Sequence, residues 1–273
     1  EQRENEERVG ITPAGVSELL SAGMRVTVEE SAMRILPDAG YAETGCEMAP
    51  ENSWPDAPKD AIVFGLKELP DAGTPLPHRH IMFGHAFKGQ FAGRALRKRF
   101  KAGGGTLLDI EYLVDPDGRR VAAFGYWAGY AGAAVSLKAW AAQTAGGTCP
   151  PVGTWRDKDA LLAELAEDMA GRTPSAIVIG ALGRVGTGAA DLCEAMGISP
   201  TRWDMEETES GGPFPEILDH DLFFNCILAL PGTPQFVPQS ALTAVRKLSV
   251  VGDVACDPDS DYNPIPVYDE ATS

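Results

Sequence analysis

The sequence predicts an α/β protein with parallel sheets. Short β-branched runs alternate with longer Ala- and Leu-rich stretches along the chain. In the second half the rhythm is a clear strand–turn–helix–strand, and one buried run, from Ser175 to Ile179, passes straight into a glycine-rich turn.

Thr12-Pro13 followed by Ala14 to Leu20 predicts an N-capped helix, and Met24 to Val28 a strand. Ala61 to Phe64, His80 to Phe83 and Thr106 to Ile110 are further strands, with a helix from Gln90 to Lys101. Phe124 to Gln143 reads as a long helix whose Gly and Ala content permits close packing and whose length suits an inter-domain spine. Asp157 to Met169 is amphipathic, and Pro174 introduces the strand Ala176 to Ile179. A helix from Gly188 to Met196 and strands at Thr201 to Trp203, Phe223 to Ile227 and Leu248 to Val251 follow. The domain change is expected near Phe124, giving domains 1–124 and 125–273.

The 273 residues allow one large domain or two ordinary ones. With 23 basic against 39 acidic residues the net charge is −16, which repels nucleic acid and anionic lipid. At 44% hydrophobic residues the chain can build a core, and no uninterrupted apolar run is long enough for a membrane helix. Cys46, Cys149, Cys193, Cys226 and Cys256 are odd in number and never spaced as CxxC. That pattern argues against a disulfide scaffold or zinc site and for reduced thiols in a cytoplasmic protein. The chain opens on Glu1 without an initiator Met and is expected to be truncated. No extended apolar stripe is evident, which favours a monomer.

The sharpest local signal is Gly180-Ala-Leu-Gly183-Arg-Val-Gly186. The first Gly makes a tight turn, the second admits a pyrophosphate to the backbone, and the third lets helix and strand pack closely. The helix N-terminus then faces the phosphates with its N–H groups and positive dipole. Asp204, just after the next strand and 24 residues past Gly180, is placed to bind ribose hydroxyls. A carboxylate there favours NAD over NADP, although Arg202 close by could greet a phosphate.

The first half repeats a different arrangement. One strand leads to Lys67, the next to His85 and the third to Glu111. Ligands of parallel sheets bind outside the carboxyl ends of the strands, so these three would converge on one crevice. Lys and His are suited to proton transfer when their surroundings tune them. The bland alternatives are a solvated Lys67, a structural His85 and a Glu111 that merely pairs with an Arg. His78 and His80 read as loop and strand-start residues, and His220 as exposed in an acidic loop. No two histidines have metal spacing, so no metal is expected. An acidic substrate would need Arg from among Arg3, Arg8, Arg119 and Arg120. The basic run from Arg94 to Lys101 reads as the solvated face of a helix.

With these residues in view the chain resembles, almost end to end, the NAD-dependent, lysine-forming saccharopine dehydrogenases. The resemblance rests on Glu6-Glu-Arg8-Val-Gly-Ile-Thr-Pro13, Gly65-Leu-Lys67-Glu-Leu-Pro70 and His80-Ile-Met-Phe-Gly-His85. It continues through Gly118-Arg-Arg-Val-Ala-Ala-Phe-Gly125, the glycine turn, Gly211-Gly-Pro-Phe214 and Asn263-Pro-Ile-Pro266. Alanine dehydrogenases and proton-translocating transhydrogenases share something like the first element.

The resemblance implies two Rossmann-like, doubly wound parallel-sheet domains with the active site in the inter-domain cleft. It implies reversible oxidation of saccharopine to L-lysine and 2-oxoglutarate with NAD. Lys67 would take the proton of the secondary amine, and His85 would serve as general base for the water and in later transfers. Glu68 and Glu111 would tune the charge of that pair. Arg8 and Arg120 would meet substrate carboxylates, Arg3 would add a basic group, and Asp257 is a candidate for the substrate amine. Gly183, Arg184, Val185 and Asp204 match the NAD site, Asp253 lies near it, and Phe124 would sit at the hinge. Family members carry a strand ahead of the Glu1 position and a segment beyond the Ser273 position that returns to the first domain. Both are expected to be missing here. The other readings are an alanine dehydrogenase-like amino-acid dehydrogenase and a non-catalytic nucleotide-binding homologue. Retention of Lys67, His85 and Glu111 together argues against the latter.

Overall fold

The computed structural model describes residues 6–67, 69, 73–87, 91–256 and 261–267. Arg3, Glu68 and Asp257 therefore lie outside the described residues. The chain divides into two units, Glu1–Ala123 and Phe124–Ser273.

In the first unit Thr12 caps α1 (Pro13–Ser21) by accepting the Gly15 N–H at 3.2 Å, with Pro at the first helical position. Next come β1 (Thr27–Glu29), α2 (Asp38–Ala42) and β2 (Glu47–Ala49). Then follow β3 (Ile62–Phe64), β4 (Arg79–Met82), α3 (Phe91–Gly103) and β5 (Thr106–Asp109). The strands β1 and β2 form one parallel pair, and β3, β4 and β5 a separate parallel sheet in that order. The short α2–β2 segment has little apolar pattern, and its strand was not legible in the sequence. Leu76, Met82, Ala86, Leu96 and Phe100 make the core between α3 and the three-stranded sheet.

Arg99 corrects the reading of the basic run. It is buried, and its guanidinium donates to the Thr74 carbonyl at 2.8 Å and hydroxyl at 3.2 Å. It shares the inward stripe of Leu96 and Phe100, three back and one forward, while Arg94, Arg97, Lys98 and Lys101 remain exposed. The sequence also hid an apolar sheet face. Phe64 and Leu108 both stand in register with Ile81, and with Ile62 they are exposed.

His78 and His80 are both buried, which their strand-start reading did not foresee. His80 lies edge-on between Trp54 and Phe100, each ring centroid 5.2 Å away. Its Nε2 has no hydrogen-bond partner among the described residues. Burial, helped by the charges of His78 and Arg99, pushes its pKa down from 6.5 to about 4. The unfolded chain thus takes a proton near pH 6.5 that the folded chain refuses until about pH 4. The stability linked to neutral His80 is whole above pH 6.5 and is lost as the pH falls toward 4. The expected loss is about 3 kcal/mol, and His80→Phe is expected to flatten it. Urea midpoints measured from pH 7.5 to 4 check this, and an equal slope in both proteins would count against it.

The second unit begins with α4 (Gly125–Thr144) and α5 (Lys158–Met169), the latter capped by Asp157 accepting the Ala160 N–H at 2.9 Å. There follow β6 (Ala176–Ile179), α6 (Arg184–Ala195), β7 (Thr201–Trp203), β8 (Leu222–Asn225) and β9 (Val250–Asp253). The sheet is wholly parallel in the order β7-β6-β8-β9. The chain moves outward from β6 to β7 and then returns across β6 to β8, so the topological switch point lies at the ends of β6 and β8. Side chains of β6 and β8 are buried on both faces. Ala176, Val178, Leu222 and Phe224 meet α4, α5 and α6 on one side. Ile177, Ile179 and Phe223 meet Phe214, Ile217, Phe236 and Leu248 on the other. That second face is covered by one-turn 3-10 helices at Pro215–Asp219 and Gln239–Thr243, where a doubly wound sheet would carry α-helices. Pro213, Pro215, Pro231, Pro234 and Pro238 interrupt this segment too often for a long helix to form.

The helix α4, expected as a spine between domains, packs on α5, α6 and β9 of its own unit. Its small residues bring backbones together, as the Gly and Ala content suggested. A Cβ on Gly129 would lie 1.8 Å from the Val185 carbonyl oxygen, and one on Gly188 would lie 1.9 Å from the Tyr126 carbonyl oxygen. Backbone cannot step aside as a side chain can. Gly129→Ala is therefore expected to destabilise the second unit by about 1–3 kcal/mol in a denaturation series, and an unchanged midpoint would contradict this packing. Lys138, the one charge in the apolar stretch of α4, is buried and paired with Glu164 and Asp168 of α5. Burial opposes its charge, but those two carboxylates carry its pKa above the ordinary lysine value. His220, read as exposed, is partly buried, with its ring against the Thr201 hydroxyl and the Glu216 carbonyl, each at 2.9 Å.

Candidate functional site

Two places at the carboxyl ends of parallel strands gather the residues of interest, one in each unit. In the first unit the ladder between β3 and β4 continues past the strands. Gly65 donates to Ile81 at 3.0 Å and Phe83 to Leu66 at 3.2 Å. Lys67 thus leaves the sheet beside the Phe83–His85 segment. His85 follows β4 with φ = +45°, a left-handed conformation uncommon for a residue with a side chain. The third strand ends at Asp109, one residue earlier than expected, and Glu111 sits on the 3-10 turn Ile110–Tyr112. Lys67, His85 and Glu111 therefore occupy the same end of three adjacent strands, and each is partly buried.

The two arginines expected to meet carboxylates are each held by an acid of the protein. Arg8 grips Glu6 with two hydrogen bonds of 2.7 and 2.6 Å. Arg120 donates to Glu111 at 3.0 Å and to the Ala122 carbonyl at 3.3 Å. Pairing of Glu111 with an Arg was the bland alternative for that residue, and the pair exists. Glu6 is the acid that the sequence reading passed over. It is buried, hydrogen bonding to Arg8 holds its carboxyl below the usual range against the pull of burial, and the charge of Lys67 adds to the effect. Its position two residues before Arg8 was the available signal.

In the second unit α6 begins at Arg184, four residues before the expected start, so Gly186 and Gly188 lie inside the helix. Gly180 has φ = +85°, which favours glycine, and a Cβ there would come within 2.9 Å of the Cys226 carbonyl oxygen. A Cβ on Gly186 would lie 2.1 Å from the Gly180 carbonyl oxygen, so the turn closes only with glycine at both places. Gly183 is the N-cap residue and supplies no side-chain acceptor. As at any helix start, the first-turn N–H groups of α6 lie outside the intrahelical ladder, and here they follow directly on the end of β6. Arg184 is exposed, whereas Val185 packs partly against the core of the unit.

Asp204 joins this turn to β7. Its Oδ2 accepts the Leu182 N–H at 2.9 Å and its Oδ1 accepts its neighbour Met205 at 3.0 Å. Arg202, the residue that could have greeted a phosphate, is paired with Glu194 of α6 at 2.7 Å. Leu182, Met205 and Leu228 follow β6, β7 and β8 and are 80–83% exposed, an unusual degree for such side chains. Asp253 accepts from Asn225 Nδ2 at 2.8 Å. Asn225 is buried at the switch point, its Oδ1 has no hydrogen-bond partner among the described residues, and its strand context concealed it in the sequence. The residues present fit a dinucleotide: two cradle positions that a Cβ would fill, a helix start without a cap, and a carboxylate beside them. Cys193 and Cys226 of this unit are buried, which pushes both thiols up to about 12 and leaves no thiolate there at neutral pH. Among the described residues no group of three or more His, Cys, Asp or Glu side chains could hold a metal ion. No helix among them is long and apolar enough to cross a membrane.

The alanine dehydrogenase/PNT N-terminal domain family matches residues 1–131. The saccharopine dehydrogenase [NAD(+), L-lysine-forming] of Yarrowia lipolytica is 43% identical, with the match covering 98% of this chain and 76% of that protein. The enzyme of the same name from Neurospora crassa is 44% identical over 100% of this chain and 76% of its own length. This chain belongs to the saccharopine dehydrogenase family. Among solved structures the transhydrogenase from Sinorhizobium meliloti shares the α/β fold. Its TM-score is 0.57 at 18% identity, over 89% of this chain and 72% of that one. This chain thus shares its architecture with that transhydrogenase, and what sets it among the saccharopine dehydrogenases is its identity to them along its length.

Proposed function

We propose that this protein is an NAD-dependent oxidoreductase that interconverts saccharopine with L-lysine and 2-oxoglutarate. The reading is carried by 43–44% identity to lysine-forming saccharopine dehydrogenases over almost the whole chain. The placement of Lys67, His85 and Glu111 at adjacent strand ends supports it. In saccharopine the ε-nitrogen of lysine is bonded to the α-carbon of a glutarate unit. Bound NAD supplies a hydride acceptor for that α-carbon. Lys67 takes the proton of the secondary amine as the C–H bond breaks, which leaves a carbon–nitrogen double bond in the substrate. As water adds to this bond His85 takes one of its protons and Lys67 returns the amine proton to nitrogen, giving a neutral carbinolamine. His85 then passes its proton to that nitrogen while Lys67 takes the hydroxyl proton, so the carbon–nitrogen bond cleaves to lysine and 2-oxoglutarate. Glu111 and Glu68 moderate the positive charge around the pair. Glu6 holds the guanidinium of Arg8 and Glu111 that of Arg120, both arginines would contact substrate carboxylates, and Arg3 and Asp257 would be further contacts.

The first unit would be the substrate domain and the second the NAD domain. Within the NAD domain the Gly180–Gly186 turn and the start of α6, with Arg184 and Val185, would receive the pyrophosphate. Asp204 would hold the ribose hydroxyls, Leu182, Met205 and Leu228 would shelter the adenine, and Asp253 would stand toward the nicotinamide end. Every group named comes from one chain, so the reading needs no second copy; a monomer in the cytoplasm is part of the proposal. Optical following of NADH with lysine plus 2-oxoglutarate tests the proposal, with pyruvate plus ammonia as the control. Turnover that needs both lysine and 2-oxoglutarate is expected. Turnover with pyruvate and ammonia instead would point to an alanine dehydrogenase-like enzyme.

A further inference from the structure

We infer that Asp109 is the positioning residue of the proton-transfer site, holding His85 and Glu111 in a fixed relation. The inference rests on the saccharopine dehydrogenase reading and deepens it. Three backbone N–H groups converge on this one carboxylate. Gly84 donates to Oδ1 at 3.2 Å, Ala86 to Oδ2 at 3.3 Å, and Glu111 to Oδ1 at 3.1 Å. The first two are the residues on either side of His85. The third is the acid that pairs with Arg120.

His85 needs such a hold. Its φ of +45° is a conformation in which Cβ crowds the backbone, so it persists only where neighbouring structure imposes it. A carboxylate gripping the peptide on both sides of the residue does this, because relaxation of φ would swing one of the two N–H groups away. Asp109 itself is well anchored. It is the last residue of β5, paired in register with Met82 of β4, three residues before His85. Its side chain also starts the 3-10 turn that carries Glu111. The strand end is thus a rigid base from which one side chain sets the direction of a proton-transfer imidazole and the place of the acid beside it. Only a carboxylate offers acceptor oxygens on both sides. In Asp109→Asn one oxygen is replaced by an NH2 group that opposes one of the backbone donors at unchanged volume.

A mutant cycle in the protein at its full natural length tests the assignment. Asp109→Asn is made alone and together with His85→Gln. Turnover with lysine and 2-oxoglutarate, NADH affinity and the pH profile of kcat/KM are then measured. Asp109→Asn alone is expected to lower kcat about 10- to 100-fold and to shift the limb of the pH profile that His85→Gln removes, with NADH affinity within about twofold of native. In the His85→Gln background the same change is expected to cost at least about fivefold less than in the native protein, because the part that Asp109 exerts through His85 is then already lost and only its hold on Glu111 remains. An equal loss in both backgrounds, or an unchanged kcat, would overturn the role of Asp109 while leaving the enzyme assignment in place. A native protein that does not turn over lysine and 2-oxoglutarate would overturn the reading and this inference together.

Discussion

Replacing Lys67 by Met or His85 by Gln is expected to lower turnover about 10²- to 10⁴-fold while NADH affinity stays within about twofold of native. The split follows from where these residues stand. Both lie at the carboxyl ends of strands of the first unit, whereas the glycine turn and Asp204 lie at those of the second. A change confined to proton transfer removes an interaction used in the transition state and leaves cofactor binding alone. Each substitution keeps much of the side-chain volume and removes the group that exchanges protons. Steady-state kinetics with lysine and 2-oxoglutarate, beside NADH fluorescence titration, read the two quantities separately. Native turnover in both variants would remove Lys67 and His85 from the chemistry. A matching loss of NADH affinity would mean that their contribution is structural.

The second large effect is expected at Asp204. Asp204→Ala should weaken NADH binding about 10- to 100-fold, the range of a lost charge-assisted hydrogen-bonded contact, and should narrow the preference for NADH over NADPH. The structure adds a reason beyond the charge. Asp204 Oδ2 also fixes the Leu182 N–H, and so ties the glycine turn to the end of β7. Asp204→Asn keeps an acceptor for that bond while losing the charge. It should therefore preserve thermal stability better than Asp204→Ala while still weakening NADH. Titration with both nucleotides against native, Asn and Ala proteins checks this, and unaltered NADH affinity in Asp204→Ala would dismiss the ribose contact. Arg202 is not expected to rescue NADPH binding, since Glu194 of α6 already engages it.

Much of the fold is legible because its signals are local. Thr12 before Pro13, Asp157 before an amphipathic run, and a β-branched run ending in glycine each state their structure within a few residues. The glycine turn is legible for the same reason, since the steric demand at Gly180 and Gly186 leaves no other residue. What was not legible depends on partners distant in sequence. Arg99 looks like its exposed neighbours until the Thr74 carbonyl arrives from 25 residues away. His80 alternates like any strand residue, and only the rings of Trp54 and Phe100 show that it is sealed. In the second unit one sheet face is covered by 3-10 helices where the doubly wound pattern implies α-helices, because five prolines between residues 213 and 238 interrupt the covering segments. At the candidate site, the place of Lys67, His85 and Glu111 at the ends of adjacent strands was legible from the runs that precede them. The bonds of Glu6 to Arg8 and of Asp109 to the Gly84, Ala86 and Glu111 N–H groups were not legible, because the partners of Asp109 are set by the pairing of β4 with β5 and Glu6 looks like any acid in a charged segment.

Following the nitrogen decides whether this protein joins lysine to 2-oxoglutarate. The protein is incubated with NADH, 2-oxoglutarate and lysine labelled with 15N at the ε-position, and the products are resolved by mass and by NMR. One NADH is expected to be consumed per product formed. That product should contain the lysine and glutarate skeletons joined through the labelled nitrogen as a secondary amine. Label recovered in glutamate or ammonia, or NADH consumed without a joined product, would contradict that joining.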